Sequence, residues 1–255
     1  MAEPRPATPP VLATDRLTRT FGGLIAVRDV SISLRQGELH AVIGPNGAGK
    51  TTLVNMLSGE IKPTAGRIAL LGREVAGEPA WRMTALGIGR SFQRINIFAS
   101  LTVLENVRLA VQGVSLSRRR LLSVAARAGD LIAKAEEALQ RVGLAGVAAR
   151  SAGTLSHGEQ RQLEIAMALA SNPKVLLLDE PLAGMGPEES QRMTALLKDL
   201  AREHALLLIE HDMDFVFRVA DWMTVMAEGM VLAEGRPDAI RANTAVQDAY
   251  LGGHV

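Results

Sequence analysis

The run QGELHAVIGPNGAGKTTLVNMLSG, Gln36 to Gly59, reads as a strand, a glycine loop and a helix in immediate succession. Gly37 marks a turn and the residues after it become apolar throughout. Leu53, Met56 and Leu57 then recur at the spacing of one helix face, with Gly59 as the stop. Between strand and helix lies GPNGAGKTT, the pattern of a phosphate-binding loop in the context that pattern requires. Its residues are Gly44, Pro45, Asn46, Gly47, Ala48, Gly49, Lys50, Thr51 and Thr52. The glycines let successive backbone N–H groups converge on phosphate oxygens, Lys50 can reach the β and γ phosphates, and the Thr51 hydroxyl is a ligand for Mg²⁺.

Further along, KVLLLDEP and ALLLIEHD are short continuous apolar runs of the kind that buried parallel strands show. A helix from Pro187 to His204 separates them, which makes a βαβ unit. Asp29 to Leu34 alternates apolar and polar as one half-buried strand, KPTAGRIALLG holds another strand candidate, and WMTVMAEG and MVLAEG supply two more. From about Gly89 to Ala170 the pattern is mostly helical, clearest over Val103–Val111 and Leu131–Val142, so an inserted helical lobe is expected over about 90–170. Asn172, before Pro173, is expected to end the last of these helices. Arg118, Arg119 and Arg120 invite a phosphate or lipid reading, but a solvated edge suits them better. The expected organisation is a disordered lead-in over 1–10 and a single domain over 11–255.

Composition excludes several function classes. A net charge of +1 gives no general reason to expect nucleic acid, and 3% aromatic residues is too few for base-stacking platforms. The chain has no cysteine, so disulfides and thiolate metal sites are ruled out. No apolar run approaches the roughly 18 residues of a membrane-spanning helix, so any membrane role is expected to come through a partner.

Chemistry is expected at the strand exits. Asp179 and Glu180 follow a buried strand, Asp179 suited to Mg²⁺ and Glu180 to positioning or deprotonating an attacking water. His211 ends the next strand as a candidate to contact a γ phosphate, with an ordinary histidine as the alternative, and Gln93 in SFQR is a candidate for the Mg²⁺ or the water, with a structural role as the alternative. Phe21 is a candidate to stack on a purine, with a core role as the alternative. In LSHGEQRQLEIAMALA, Ser156 and Glu159 form a capping box, and Leu163, Ala166, Met167 and Ala170 face a core. Gly158 in the first turn permits close approach of an outside group to free N–H donors, which is how a helix start binds an anion.

In the order GPNGAGKTT, SFQ, LSHGEQ, LLLDE and IEHD, these motifs resemble the ATP-binding subunits of ABC transporters over nearly the whole chain. The finer resemblance is to the bacterial branched-chain amino acid uptake type, through FGGLIAV, EPLAGM, EHDMDFV and VLAEGRPDAI. The resemblance implies an α/β P-loop ATPase with a mixed sheet core, an antiparallel β subdomain and an inserted helical subdomain. It implies ATP and Mg²⁺, with catalytic roles for Glu180, His211 and Gln93 and a metal role for Thr51, Gln93 and Asp179. Ser156, His157, Gly158 and Glu159 would meet the nucleotide held by a second ATPase chain, the same or a paralogue, in a head-to-tail dimer. The other implied partners are transmembrane permease subunits and, indirectly, an extracellular or periplasmic solute-binding protein. No nucleic acid is implied, and the place is the cytoplasmic face of the inner membrane. Two departures stand out: His157 replaces the commoner glycine, and Gly186 replaces the usual aspartate of the loop after LLLDE. The readings held against this one are urea or amide uptake, lipopolysaccharide export, and a non-transport ABC ATPase acting on nucleic acid or the ribosome. The last would be expected to carry a long coiled coil or a second cassette.

Overall fold

The computed structural model describes residues 8–115 and 128–251. Arg118, Arg119, Arg120 and most of the lead-in lie outside them.

Two sheets divide the molecule. The larger has six strands in the order β11-β10-β4-β9-β8-β7. These are β4 (Leu39–Ile43), β7 (Ile88–Arg90), β8 (Val175–Asp179), β9 (Ala205–Ile209), β10 (Trp222–Ala227) and β11 (Met230–Gly235). All neighbours pair in parallel except β10 with β11, so the sheet is mixed. The second sheet is antiparallel and comprises β1 (Leu12–Phe21), β2 (Leu24–Val30), β3 (Ser33–Leu34), β5 (Ala65–Leu70) and β6 (Arg73–Glu74).

The continuous apolar runs are explained by burial on both faces. In β8, Leu176 and Leu178 join one core, while Val175 and Leu177 join the other. The first core lies under the helical lobe, built from α3 (Val103–Ser115), α4 (Ala128–Arg141) and α5 (His157–Leu169), and also packs α6 (Pro187–Glu203) and α7 (Met213–Val219). The second lies between the large sheet, α1 (Lys50–Leu57) and the antiparallel sheet. A strand sandwiched in this way can carry apolar residues at every position.

Three local expectations change. The Asp29–Leu34 run is not one strand: Asp29 adopts a φ of 49° and β2 stops at Val30. The Thr14 hydroxyl takes over the ladder there, donating to the Val30 carbonyl at 3.0 Å and accepting the Ile32 N–H at 2.9 Å. The helix before Pro173 ends at Leu169, and Asn172 lies beyond it in the left-handed region at φ 48°. The proline thus constrains a turn after the helix, not the helix end itself. Finally, Phe92 to Phe98 within the helical region is irregular backbone.

Candidate functional site

Because β4, β7, β8 and β9 run parallel, their carboxyl ends share one edge of the sheet. Gly44, Arg90, Asp179 and Glu210 stand at or just past those ends, where open α/β sheets bind ligands.

The phosphate loop is glycine where neighbouring backbone leaves no room. A Cβ on Gly44 would lie 2.1 Å from the Met226 carbonyl oxygen, and one on Gly49 would lie 2.4 Å from that of Ala26. Gly49 starts α1 at φ 96°, and no side chain caps that helix, which leaves its first N–H donors available to a phosphate. Ala48 buries its methyl group and donates its N–H to Pro45. Pro45, Asn46, Gly47, Thr51 and Thr52 are half-buried or exposed around it. Lys50 folds back over the loop, donating from Nζ to the carbonyls of Gly44 at 2.7 Å and Pro45 at 3.0 Å. Burial lowers its pKa, and the carboxylates of Glu180 and Asp179 oppose that shift.

Asp179 is 2% exposed. Burial raises its pKa, the Arg90 guanidinium pulls it back, and Glu180 pushes it further up. Glu180 sits at φ 48°, with its N–H donated to Ile209 at 2.9 Å. A left-handed, non-glycine residue costs conformational energy and is held only where its surroundings over-determine it. Its carboxylate gathers the other candidates: Gln93 Nε2 donates to Oε2 at 3.3 Å, and His211 Nδ1 lies 3.9 Å from Oε1.

Two neighbours of this group went unread in the sequence. Glu210 is buried beneath His211, accepting the N–H groups of Leu182 at 3.0 Å and His211 at 3.1 Å, so it ties the loop after β8 to the one after β9. Burial raises its pKa. Arg90 donates to the Ser58 hydroxyl at 2.6 Å and lies over the Phe92 ring. The signal for both was position alone: each flanks a strand end, as the chemical residues do. Phe21 is 41% exposed at the end of β1, with the Arg19 guanidinium 4.5 Å from its ring centroid, so the core alternative does not hold.

At the start of α5 the capping box is present: Ser156 Oγ accepts the Glu159 N–H at 3.2 Å, and Glu159 Oε2 accepts the Ser156 N–H at 2.8 Å. Ser156 Oγ also donates to Glu189 of α6 at 3.0 Å. A Cβ on Gly158 would lie 2.8 Å from the Glu189 carboxyl. The group that approaches this glycine is the Glu189 side chain. The His157 ring packs near Gly184, where an added Cβ would lie 3.3 Å from it. Nothing in the sequence pointed to Glu189, which lies 33 residues from Ser156.

Beside the Gln93 segment runs a groove of about 630 Å³ between the lobes, lined among others by Trp81, Arg90, Phe92, Asn96, Glu164 and Met167.

A family model described as "ABC transporter" matches residues 27–183, and another, described as "Branched-chain amino acid ATP-binding cassette transporter", matches residues 230–255. The high-affinity branched-chain amino acid transport ATP-binding protein LivG of Salmonella typhimurium is 40% identical over 250 residues, covering 95% of this chain and 98% of its own. Among solved structures, the ADP conformation of an ATP-binding cassette of an ABC transporter matches with a TM-score of 0.85 and 30% identity, over 96% of this chain and 100% of that one. A dimeric cassette in a post-hydrolysis state with ADP and Pi matches with a TM-score of 0.73 and 25% identity, over 89% and 98%.

Proposed function

This chain belongs to the family of ABC transporter ATP-binding proteins, whose activity is ATP hydrolysis, and from that premise we propose that it powers an importer of branched-chain or related amino acids through partner membrane subunits. The observation that carries the catalytic reading is the cluster at Glu180 beside the phosphate loop, where the Gln93 amide donates to the carboxylate and the His211 imidazole lies 3.9 Å from it, between Glu180 and Glu210. The solute class is supported by the carboxyl-terminal family match and by the LivG relative.

The residues divide the reaction. The loop N–H groups and Lys50 hold the β and γ phosphates. Glu180 holds the attacking water and accepts its proton, and His211 contacts the γ phosphate from the next strand end. Gln93 commits its amide nitrogen to Glu180, which leaves its oxygen for a cation. Thr51, Asp179 and Gln93 offer only oxygen donors, the set that suits Mg²⁺. A cation held by these oxygens would supply neutralisation of phosphate charge. Ser156 and Gly158 would complete a second chain's site, with the α5 start moving from the Glu189 carboxylate to a γ phosphate. A dimeric relative bound to ADP and Pi supports that arrangement.

No helix among the described residues is long and apolar enough to cross a membrane. The groove beside Gln93 suits a short helix of a membrane subunit, with Trp81, 71% exposed, on its rim. The chain would then sit at the cytoplasmic face of the inner membrane.

Replacing Glu180 with Gln tests both halves of the reading. The variant should bind ATP as the wild type does and hydrolyse it slower by a factor of at least about 100, and a host carrying only that variant should lose uptake of labelled leucine. Unimpaired hydrolysis would remove Glu180 from its role. Lost hydrolysis with intact leucine uptake would overturn the solute assignment.

A further inference from the structure

Arg161 and Glu164 lie on α5 just beyond the first turn, buried to 1% and 5% exposure. They pair with each other, Nη1 to Oε2 at 2.7 Å. Their remaining bonds reach one stretch of backbone. Arg161 donates to the carbonyls of Phe92 and of Gln93, the latter at 2.9 Å. Glu164 accepts the N–H of Asn96 at 2.8 Å and that of Phe92. Phe92 to Phe98 is neither helix nor strand, and side chains hold its backbone. At the far end Asn106 of α3 does so, accepting the Phe98 N–H and donating to its carbonyl.

A buried ion pair is a poor means of adding stability, since well-packed apolar residues of the same volume often serve as well or better. What a charged pair can do, and leucine cannot, is fix the direction of particular carbonyls and N–H groups. One of the carbonyls that Arg161 grips is that of Gln93, whose side chain donates to Glu180 at 3.3 Å.

We propose that Arg161, with Glu164 as its buried counter-ion, is a positioning residue for Gln93: it fixes the peptide from which the Gln93 amide reaches Glu180. The inference rests on the reading of Gln93 as a participant in hydrolysis. Its consequence is mechanical. Ser156, at the start of α5, meets the nucleotide of a second chain, and Arg161 on the same helix holds the amide of the chain's own site. A displacement of α5 at one end therefore reaches Glu180 through a single rigid grip. Glu164 and Asn96 also line the groove between the lobes, so a helix docked there presses on the same pair.

Removing one charge alone would strand the other in the interior, because burial already raises the Glu164 pKa against the Asn96 N–H and Arg161. The variant of choice therefore removes both, Arg161→Met with Glu164→Leu. ATP hydrolysis by the full chain is measured against ATP concentration for the wild type, this variant, Gln93→Ala and the triple combination. The pair variant should lower kcat at least about tenfold with KM little changed, as loss of alignment does. The triple variant should be no slower than the slower of its parents, because residues that act as one unit are not additive. Should the pair variant not fold, Arg161→Lys keeps the charge but loses the planar two-carbonyl grip, and must lower kcat with the same non-additivity. Wild-type kcat or additive losses overturn the inference and leave Gln93 in its role. A Gln93→Ala protein with wild-type kcat removes that role and the inference with it.

Discussion

Lys50 illustrates what a single side chain contributes here. Its ammonium is already turned inward, bonded to the Gly44 and Pro45 carbonyls, and burial makes that charge costly to hold without a partner. On the proposed reading, a phosphate adds a full negative charge to the two carbonyls and the nearby Glu180 and Asp179 carboxylates that offset this cost. Lys50→Ala should weaken ATP binding about 10- to 100-fold, the ~1.5–3 kcal/mol of a hydrogen bond to a charged group, and equilibrium titration with a fluorescent ATP analogue reads it directly. Unchanged affinity would count against the phosphate-loop assignment. Residues of this kind were legible because their types and spacing are dictated by the ligand. Glu189, Arg161 and Glu164 were not, since each has meaning only against a segment distant in sequence: Ser156 for Glu189, and Phe92 to Asn96 for the buried pair. No local pattern distinguishes them from ordinary charges on a helix.

At the scale of elements, the start of α5 has two duties. Its capping box stabilises the helix within the chain, and on the proposed reading the same hydroxyl, which donates to Glu189 here, would meet a phosphate. Ser156→Ala should therefore destabilise the fold by about 1 kcal/mol, the usual worth of a cap, seen as a lowered urea midpoint with unchanged slope; an unaltered midpoint would show that the box is idle. The long periodic elements, α3, α4 and α6, and the buried strands β4, β8 and β9 were readable because burial on one stripe or on both faces leaves a direct imprint on composition. Strand β1 and the short helices α2 (Ala80–Leu86) and α7 were not read. In β1 the pairing register shifts and Arg16 takes a φ of 46°, which breaks the period-two signal. Each of the two helices is 7 residues long, too short for a periodic face to declare itself.

For the whole molecule, the strand ends bring the phosphate loop, Glu180, Gln93 and His211 to one edge, while the start of α5 belongs to the helical lobe, where Ser156 donates to the chain's own Glu189. On the proposed reading, an ATP site so divided would be completed by a second chain placed head to tail. Light scattering on the Glu180→Gln protein, with and without Mg-ATP, tests this most directly, because the variant should retain ATP in the closed state. The expected result is a doubling of mass that appears only with Mg-ATP. A protein that binds ATP and keeps the mass of a single chain contradicts a site completed by a second copy.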